Sequence, residues 1–178
     1  MDRKSIPINE FTVSPVHLWG EQWLLLTAGT NQPGKFNCMT VAWGSFGMMW
    51  AKPLAMVVVR PGRYTYEFME RSESFTLCAF PPDFKDKLTL CGTRSGRDLD
   101  KVQACGLTPI ASSDIEAPGY DEATLIVECR KMYFADFHPS HFVDPSIAQN
   151  YSNRDYHRMY FGEIRAVHGI AAFRRKTR

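Results

Sequence analysis

Short apolar runs separated by clusters of turn-forming residues restrict the fold of this chain more than any other feature of its sequence. Residues 23–29 form one compact apolar run, residues 30–34 (Thr-Asn-Gln-Pro-Gly) are a dense turn signal, and residues 36–43 form a second run. Two such runs on either side of a glycine-containing turn predict a β-hairpin. Because side chains alternate along a strand, the second run places one set of residues on each face of the sheet. These sets are Phe36, Cys38, Thr40 and Ala42, and Asn37, Met39, Val41 and Trp43.

The following run, residues 54–59, is apolar at every position. Such a run is typical of a strand covered on both faces, so we expect it to lie at the centre of the sheet. A glycine-bearing bend at 44–47 precedes it, and residues 60–63 (Arg-Pro-Gly-Arg) end it. A helix is predicted over 64–71, where Tyr64 and Phe68 are four residues apart.

The rest of the chain continues this pattern. Residues 83–104 are predicted to be helical with an interruption at 91–96, and Asp98 is expected to act as a cap or first-turn acid for the second helix. Further strands are predicted over 75–80, 123–135 and 159–170, with a polar, aromatic excursion over 138–156 that contains a short helix from Asp144. We therefore expect a mostly β fold, an antiparallel barrel of about six strands with two or three flanking helices.

The length and charge of the chain limit the number of domains and the kinds of partner that we expect. The 178 residues suit one domain, so residues 1–178 are expected to form a single domain with a basic tail at 174–178. The formal net charge is +2, but four of the 21 basic groups lie in that tail, which leaves 17 basic against 19 acidic residues elsewhere. A nucleic-acid binder should carry its basic surface over the body of the fold, so this distribution argues against nucleic acid as a partner.

Cysteine usage and hydropathy indicate a cytoplasmic setting. The five cysteines are odd in number, widely spaced and without a C-x-x-C pair, which disfavours structural disulfides and zinc. We interpret them as small buried apolar groups rather than redox centres. The first residues lack an apolar signal core, and no window approaches the roughly 18 apolar residues that a membrane span needs. Neither export nor membrane attachment is therefore expected.

Three motifs carry the functional signal. They are Asn-Cys-Met-Thr-Val-Ala-Trp-Gly-Ser at 37–45, followed closely by Lys52-Pro53, then Arg-Pro-Gly-Arg-Tyr-Thr at 60–65 and Thr-Arg-Ser-Gly-Arg-Asp-Leu-Asp-Lys at 93–101. In this order and spacing, the chain from Leu24 to Ile170 resembles the flavin reductase-like split barrels, within them the flavoredoxin-like group. The resemblance implies a six-stranded split barrel, non-covalently bound FMN, and a homodimer with its flavin sites at the subunit interface.

The motif residues match the three parts of FMN. Arg60 and Arg63 suit the phosphate, aided by Thr65 and the start of the predicted helix, although a solvated turn is the alternative. By resemblance, 37–43 lines the ring system, with Asn37 and Thr40 as donors and Met39 and Trp43 as apolar contacts or simple core residues. The loop at 93–101 contributes to the site or only caps a helix. The cofactor-binding candidates are Asn37, Met39, Thr40, Val41, Ala42, Trp43, Ser45, Lys52, Arg60, Arg63, Tyr64, Thr65, Ser95 and Lys101.

Three histidines are the remaining candidates for a catalytic or metal-binding role. His157 matches a position where family members carry a histidine before the last strand, so it is the candidate catalytic residue facing flavin or nicotinamide. A histidine that holds two strands together by hydrogen bonds is the alternative. His138 and His141 flank Pro139 and lack a fixed third ligand, so a solvated loop is favoured over a metal site.

Three functions remain open from the sequence. In the first, NADH or NADPH reduces bound FMN and the electrons pass to free flavin, oxygen or a protein. The second is a flavoredoxin-type electron carrier that a protein partner reduces, and the third is a flavin-binding module without redox use. The chain has no glycine-rich dinucleotide fingerprint, so nicotinamide would bind directly over the flavin.

Overall fold

A computed structural model describes residues 2–176 of the chain. Of the predicted basic tail, Thr177 and Arg178 lie outside the described residues. The strands are β1 (Lys4–Ser5), β2 (Leu24–Gly29), β3 (Phe36–Val41), β4 (Gly44–Met49), β5 (Lys52–Val59), β6 (Ser74–Ala79), β7 (Pro109–Ile110), β8 (Gly119–Tyr120), β9 (Leu125–Asp136) and β10 (Arg158–Gly169). The helices are α1 (Pro15–His17), α2 (Tyr64–Arg71), α3 (Lys85–Thr93) and α4 (Lys101–Ala104). Helical turns of other pitch cover Ile8–Glu10, Leu18–Gln22, Pro82–Phe84, Pro139–His141, Pro145–Tyr151 and Ala171–Phe173.

The main sheet is antiparallel, in the order β3-β2-β6-β9-β10-β5-β4, and the short β1 pairs with β10. The predicted hairpin is β2–β3, in which Thr27 lies opposite Cys38. The predicted helix over 64–71 is α2, and the edge-to-face contact of Tyr64 and Phe68 at 5.1 Å explains its four-residue spacing. The mostly antiparallel fold is thus confirmed, with more strands than the six expected.

Three local predictions are wrong. Residues 44–47 are not a bend but the first part of β4, which pairs with β5 through a turn at Trp50 and Ala51. Both turn residues have positive φ, 52° and 56°, a backbone conformation that usually requires glycine or asparagine, so this turn could not be predicted from the residue types. The strand β5 lies next to the edge strand β4, and the middle of the sheet is β9. The cap of α4 is Asp100, which accepts a hydrogen bond from the Gln103 amide, rather than Asp98.

Two apolar clusters fill the interior. The barrel core packs residues such as Leu26, Val57 and Phe75 from the inner face of the sheet. A second core lies on the outer face of β2 and β3, where α3 and the segment around Tyr120 cover Leu25 and Cys38. The alternation of β3 therefore sends Met39 and Val41 into the barrel and Cys38 into the second core, as the sequence predicted.

The two longest strands, β9 and β10, contain two interruptions in their pairing. Phe161 pairs with Tyr133 and Gly162 with Lys131, so Met132 is an extra residue on β9. Ile164 pairs with Cys129 and Ala166 with Glu128, so Arg165 is an extra residue on β10. Such bulges bend a strand and increase its twist, as a curved sheet requires. Among residues 2–176, every helix is too short or too polar to span a lipid bilayer.

Candidate functional site

A cleft opens where the end of β3, the turn after β5 and the start of β10 meet. Its volume is about 170 Å³. It gathers residues from the first two sequence motifs and the candidate histidine. Its lining residues are Met39, Thr40, Val41, Ala42, Trp43, Val58, Arg60, Arg63 and His157.

A second cavity, of about 100 Å³, lies beside the cleft and shares Met39 and Arg63 with it. The start of α2 forms one side, and the loop between α3 and α4 forms the other. Its remaining lining residues are Gly62, Tyr64, Thr65, Cys91, Thr93, Arg94, Ser95, Gly96 and Lys101. All three sequence motifs thus meet at two adjoining cavities, although the lining residues Met39 and Lys101 are 62 positions apart in the sequence.

Three cations line the second cavity, Arg63, Arg94 and Lys101, and none of them forms an ion pair with a carboxylate among residues 2–176. Lys101 is only 5% exposed, and its Nζ donates to the Cys91 carbonyl at 3.2 Å. Arg63 donates from Nη1 to the Gly92 carbonyl at 3.1 Å. Burial lowers the pKa of Lys101, as expected for an ammonium group without a counter-ion. An anionic group with several acceptor oxygens, such as a phosphate, fits this cavity.

Arg60, in contrast, is engaged by protein groups. Its Nη1 donates to both carboxylate oxygens of Asp155 at 2.8 Å, and its Nη2 donates to the Asn150 carbonyl at 2.8 Å. Its guanidinium also lies 5.2 Å from the Tyr151 ring centroid. The pair lowers the pKa of the Asp155 carboxyl. Arg60 therefore fastens the 138–156 excursion to the cleft, and Arg63 is better placed for a phosphate.

His157 lies in the wall of the cleft, largely buried. Its Nδ1 is 2.9 Å from the Tyr151 hydroxyl, and its ring centroid is 5.1 Å from that of Trp43. Burial, then the charge of Arg60, lowers its pKa to about 4, so the imidazole is neutral at pH 7. Trp43 is 46% exposed and forms the open rim beside it. Sequence reasoning missed Tyr151, for which the aromatic-rich character of the excursion was the only signal.

The two predicted side-chain donors of β3 have partners within the protein. Asn37 donates from Nδ2 to the Thr65 hydroxyl at 2.7 Å and so braces the first turn of α2. Thr40 donates from Oγ1 to the Leu88 carbonyl at 2.5 Å and so ties β3 to α3. Asn37 does not line either cavity but a neighbouring groove of about 700 Å³. These contacts support positioning roles for both residues.

Ser45 and Lys52 are not brought to the two cavities. Ser45 lies on β4 opposite Met56. Lys52 lies at the far end of the β4–β5 hairpin, where its Nζ donates to Glu163 at 2.9 Å. Both follow the first motif in sequence, but the unpredicted strand β4 carries the chain away from the cleft. Thr93 and Arg94, which line the second cavity, belong to a quoted motif but were not singled out.

Comparison with solved structures defines the class of fold. The chain is similar to flavoredoxin from Methanosarcina acetivorans, with 24% identity over 84% of this chain and 69% of that chain and a TM-score of 0.64. Flavoredoxin of Desulfovibrio vulgaris (Miyazaki F) has 19% identity over 87% and 73%, with a TM-score of 0.66. An FMN-binding domain of a flavin reductases-like enzyme from Shewanella baltica OS155 has 16% identity over 94% and 77%, with a TM-score of 0.66. The fold is therefore the expected split barrel.

A match to a protein-family model identifies the family within this class of fold. The model described as "Flavin reductase like domain" matches residues 21–173, which include all three motifs, both cavities and His157. The chain belongs to this family. A comparison with curated proteins finds no match.

Proposed function

We propose that the protein is an FMN-binding flavoprotein oxidoreductase whose cofactor lies across the two adjoining cavities. The observation that carries this proposal is a group of cations that form no ion pair among residues 2–176, Arg63, Arg94 and Lys101, beside the largely apolar strand end at 39–43. An elongated ligand with an anionic end and a flat aromatic end matches this division. Family membership supports the same assignment.

The residues present fit FMN at both ends. Arg63, Lys101, Ser95 and Thr65 offer charged and hydroxyl donors for the phosphate. At the other end, Met39 and Trp43 offer apolar surface for the ring system, and the backbone of 40–42 lies at the cleft wall. Bound FMN would supply hydride acceptance and onward electron transfer, chemistry that no side chain of the protein can perform.

We infer that NADH or NADPH is the electron donor and approaches over the open rim of the cleft. Trp43 provides an exposed aromatic face there, and neutral His157 lies beside it with Nδ1 engaged by Tyr151. His157 thus has Nε2 available to orient a bound nicotinamide by a hydrogen bond. A flavoredoxin-type carrier that a protein partner reduces is the alternative within the same site.

The decisive experiment is the visible spectrum of the purified protein, followed by anaerobic mixing with NADH and NADPH. We expect a yellow protein that releases FMN on denaturation and is bleached by one of the nucleotides. A protein that stays colourless after incubation with FMN contradicts the proposal. If only dithionite bleaches the flavin, the carrier replaces the reductase.

The role of His157 has its own test. In His157→Ala we expect bleaching at least tenfold slower, about 1.4 kcal/mol in the activation barrier, with FMN still bound. Tyr151→Phe keeps the histidine but removes its Nδ1 partner and should show a smaller loss. Normal bleaching in His157→Ala would assign the histidine a purely structural role.

We also propose a cytoplasmic homodimer with its flavin sites at the subunit interface, in which an aromatic and methionine patch is buried as well. The patch consists of Met48, Met49, Trp50 and Tyr133, all exposed in the single chain. Trp50 is 56% exposed at the tip of the β4–β5 hairpin, with its ring centroid 5.9 Å from that of Tyr133. Contiguous exposed apolar groups of this kind are typical of interfaces. Light scattering should give about twice 20.3 kDa for the native chain and a lower mass for Trp50→Asp. A native mass near 20.3 kDa with FMN bound contradicts the dimer.

A further inference from the structure

Three thiols meet in the second core, directly beneath the loop between α3 and α4. Cys38, Cys91 and Cys105 are each no more than 3% exposed and belong to one packed cluster. The sulfur atoms of Cys91 and Cys105 are 3.6 Å apart. A disulfide bond has a length of about 2.05 Å, so the two sulfurs need to approach by only about 1.5 Å.

The surroundings of Cys38 differ from those of the other two thiols, because the contact with Cys38 raises the pKa of Cys91 and burial raises the pKa of Cys105. Lys101 places its ammonium group against the Cys91 carbonyl at 3.2 Å. The Cys91 thiol and the charge of Lys101 lower the pKa of Cys38 despite its burial. In the same core, burial raises the pKa of Cys78 to about 12. Reactive cysteines occur next to lysine in this way, because the thiolate is the nucleophile.

Two openings of the surface border the cluster. Cys38 contributes to the wall of the groove of about 700 Å³, together with the loop at 31–34. Cys91 contributes to the wall of the cavity that holds Arg63 and Lys101. Cys38 therefore borders the larger of the two openings.

We propose that Cys91 and Cys105 form a reversible disulfide when the protein meets hydrogen peroxide, and that Cys38 is the thiol that reacts first. The Cys38 sulfur attacks one peroxide oxygen, which gives a sulfenic acid and releases one water. The Cys91 sulfur then displaces the sulfenic oxygen as a second water and forms a Cys38–Cys91 disulfide. Cys105 attacks the Cys91 sulfur and releases Cys38 as a thiol. In total, two thiols and one hydrogen peroxide give one disulfide and two waters.

The disulfide would tie together the two ends of the loop that holds the cofactor residues. Cys91 lies in the last turn of α3 and Cys105 directly follows α4, 14 positions later. Ser95 and Lys101 lie between them. A covalent tie reduces the conformational freedom of this loop before a ligand binds, which favours binding. This consequence rests on the proposed FMN site, whereas the formation of the disulfide does not.

The first test uses the full-length protein and added hydrogen peroxide. After treatment, free thiols are alkylated, and the intact mass should show three alkylated cysteines instead of five, restored to five by dithiothreitol. Trypsin alone leaves Cys105 and Cys129 in one peptide, residues 102–130, so cleavage after glutamate is also needed to locate the bridge. Three results would overturn the proposal. They are a bridge that contains Cys78 or Cys129, bridges found only between chains, and a folded protein in which all five thiols stay reduced after peroxide treatment.

Three variants separate the roles of the thiols. Cys105→Ala should stop the sequence at the Cys38–Cys91 disulfide, and Cys38→Ala should slow formation of the Cys91–Cys105 bridge at least tenfold. Cys78→Ala is the matched control, since it removes a thiol of the same core and should change neither product nor rate. If the Cys91–Cys105 disulfide forms at an unchanged rate in Cys38→Ala, Cys38 is not the thiol that reacts first. The peptide map of the native protein identifies the bridged cysteines even if a variant does not fold.

The link to the cofactor is measured by titrating the oxidised and reduced protein with FMN. We expect the oxidised protein to bind FMN at least threefold more tightly. Equal or weaker binding overturns the link but not the bridge. No FMN binding by either form contradicts the proposed function instead, so the two failures are distinguishable.

Discussion

The two arginines that flank the turn after β5 are three residues apart, yet they lie in opposite electrostatic surroundings. Arg60 shares its charge with Asp155 and stacks on Tyr151. Within residues 2–176, Arg63 donates to a backbone carbonyl and forms no ion pair, and the neighbouring Lys101 likewise has no acidic partner there. One end of the site is therefore neutralised by the protein itself, and the other carries positive charge that an anionic ligand can neutralise.

This difference shows that a motif residue cannot be assigned to a ligand by its type alone. Both guanidinium groups match phosphate equally well in sequence. Their roles separate because the 138–156 excursion returns to the cleft and places Asp155 beside Arg60. The comparison predicts that the two ends respond differently to substitution.

The largest effect is expected for Lys101→Met. The change keeps most of the side-chain volume but removes the buried positive charge, so FMN affinity should fall about 100-fold, or about 2.7 kcal/mol. Thermal stability without FMN should stay equal or rise, because the desolvated ammonium group is gone. Lys52→Met is the control, since its ammonium group lies outside both cavities and should leave affinity unchanged. Tight FMN binding by Lys101→Met would contradict the phosphate assignment.

The comparison itself is tested by the matched pair Arg63→Gln and Arg60→Gln. Loss of a charge-assisted contact with the phosphate should reduce FMN affinity about 30-fold in Arg63→Gln, or about 2 kcal/mol. In Arg60→Gln the main effect should be faster proteolysis within 138–156, with FMN affinity changed less than threefold. Fluorescence titration and limited proteolysis measure the two outcomes. Equal losses of affinity would show that Arg60 leaves Asp155 to bind the ligand.

The free energy of unfolding should depend on pH through His157, which lies near Arg60 at the neutralised end of the site. The pKa of His157 is about 4 in the folded protein, against about 6.5 in an unfolded chain, so the unfolded state binds the proton more strongly between these values. The contribution of His157 to stability is complete above pH 6.5 and is lost as pH falls towards 4. We expect a loss of roughly 2 kcal/mol, after allowance for partial solvent screening. Urea unfolding of the native protein and His157→Gln at pH 7 and 4.5 checks this, and identical pH slopes would contradict it.

The sequence predicted most of the sheet, because each strand buries apolar residues against a neighbour and ends at a turn signal. The strand β4 was missed because it carries two glycines and exposed methionines, and its turn uses Trp50 and Ala51 where glycine or asparagine is expected. In the site, the motifs indicated which segments meet. The partners of Arg60 and His157 could not be predicted, since Asp155 and Tyr151 lie in a segment whose path is set by tertiary contacts alone.

The extra residue Met132 in β9 lies between a part of the strand that packs in the core and a part that is exposed to solvent. On one side of it, residues Leu125 to Cys129 are buried in succession, and on the other Tyr133 and Phe134 are exposed. A shift of one residue exchanges the two faces of a strand. The bulge therefore determines which side chains after Met132 face solvent, without changing which side chains before it face the core. Substitutions at the exposed end can therefore accumulate in evolution while the interior stays fixed, which would let relatives with the same barrel acquire different binding surfaces.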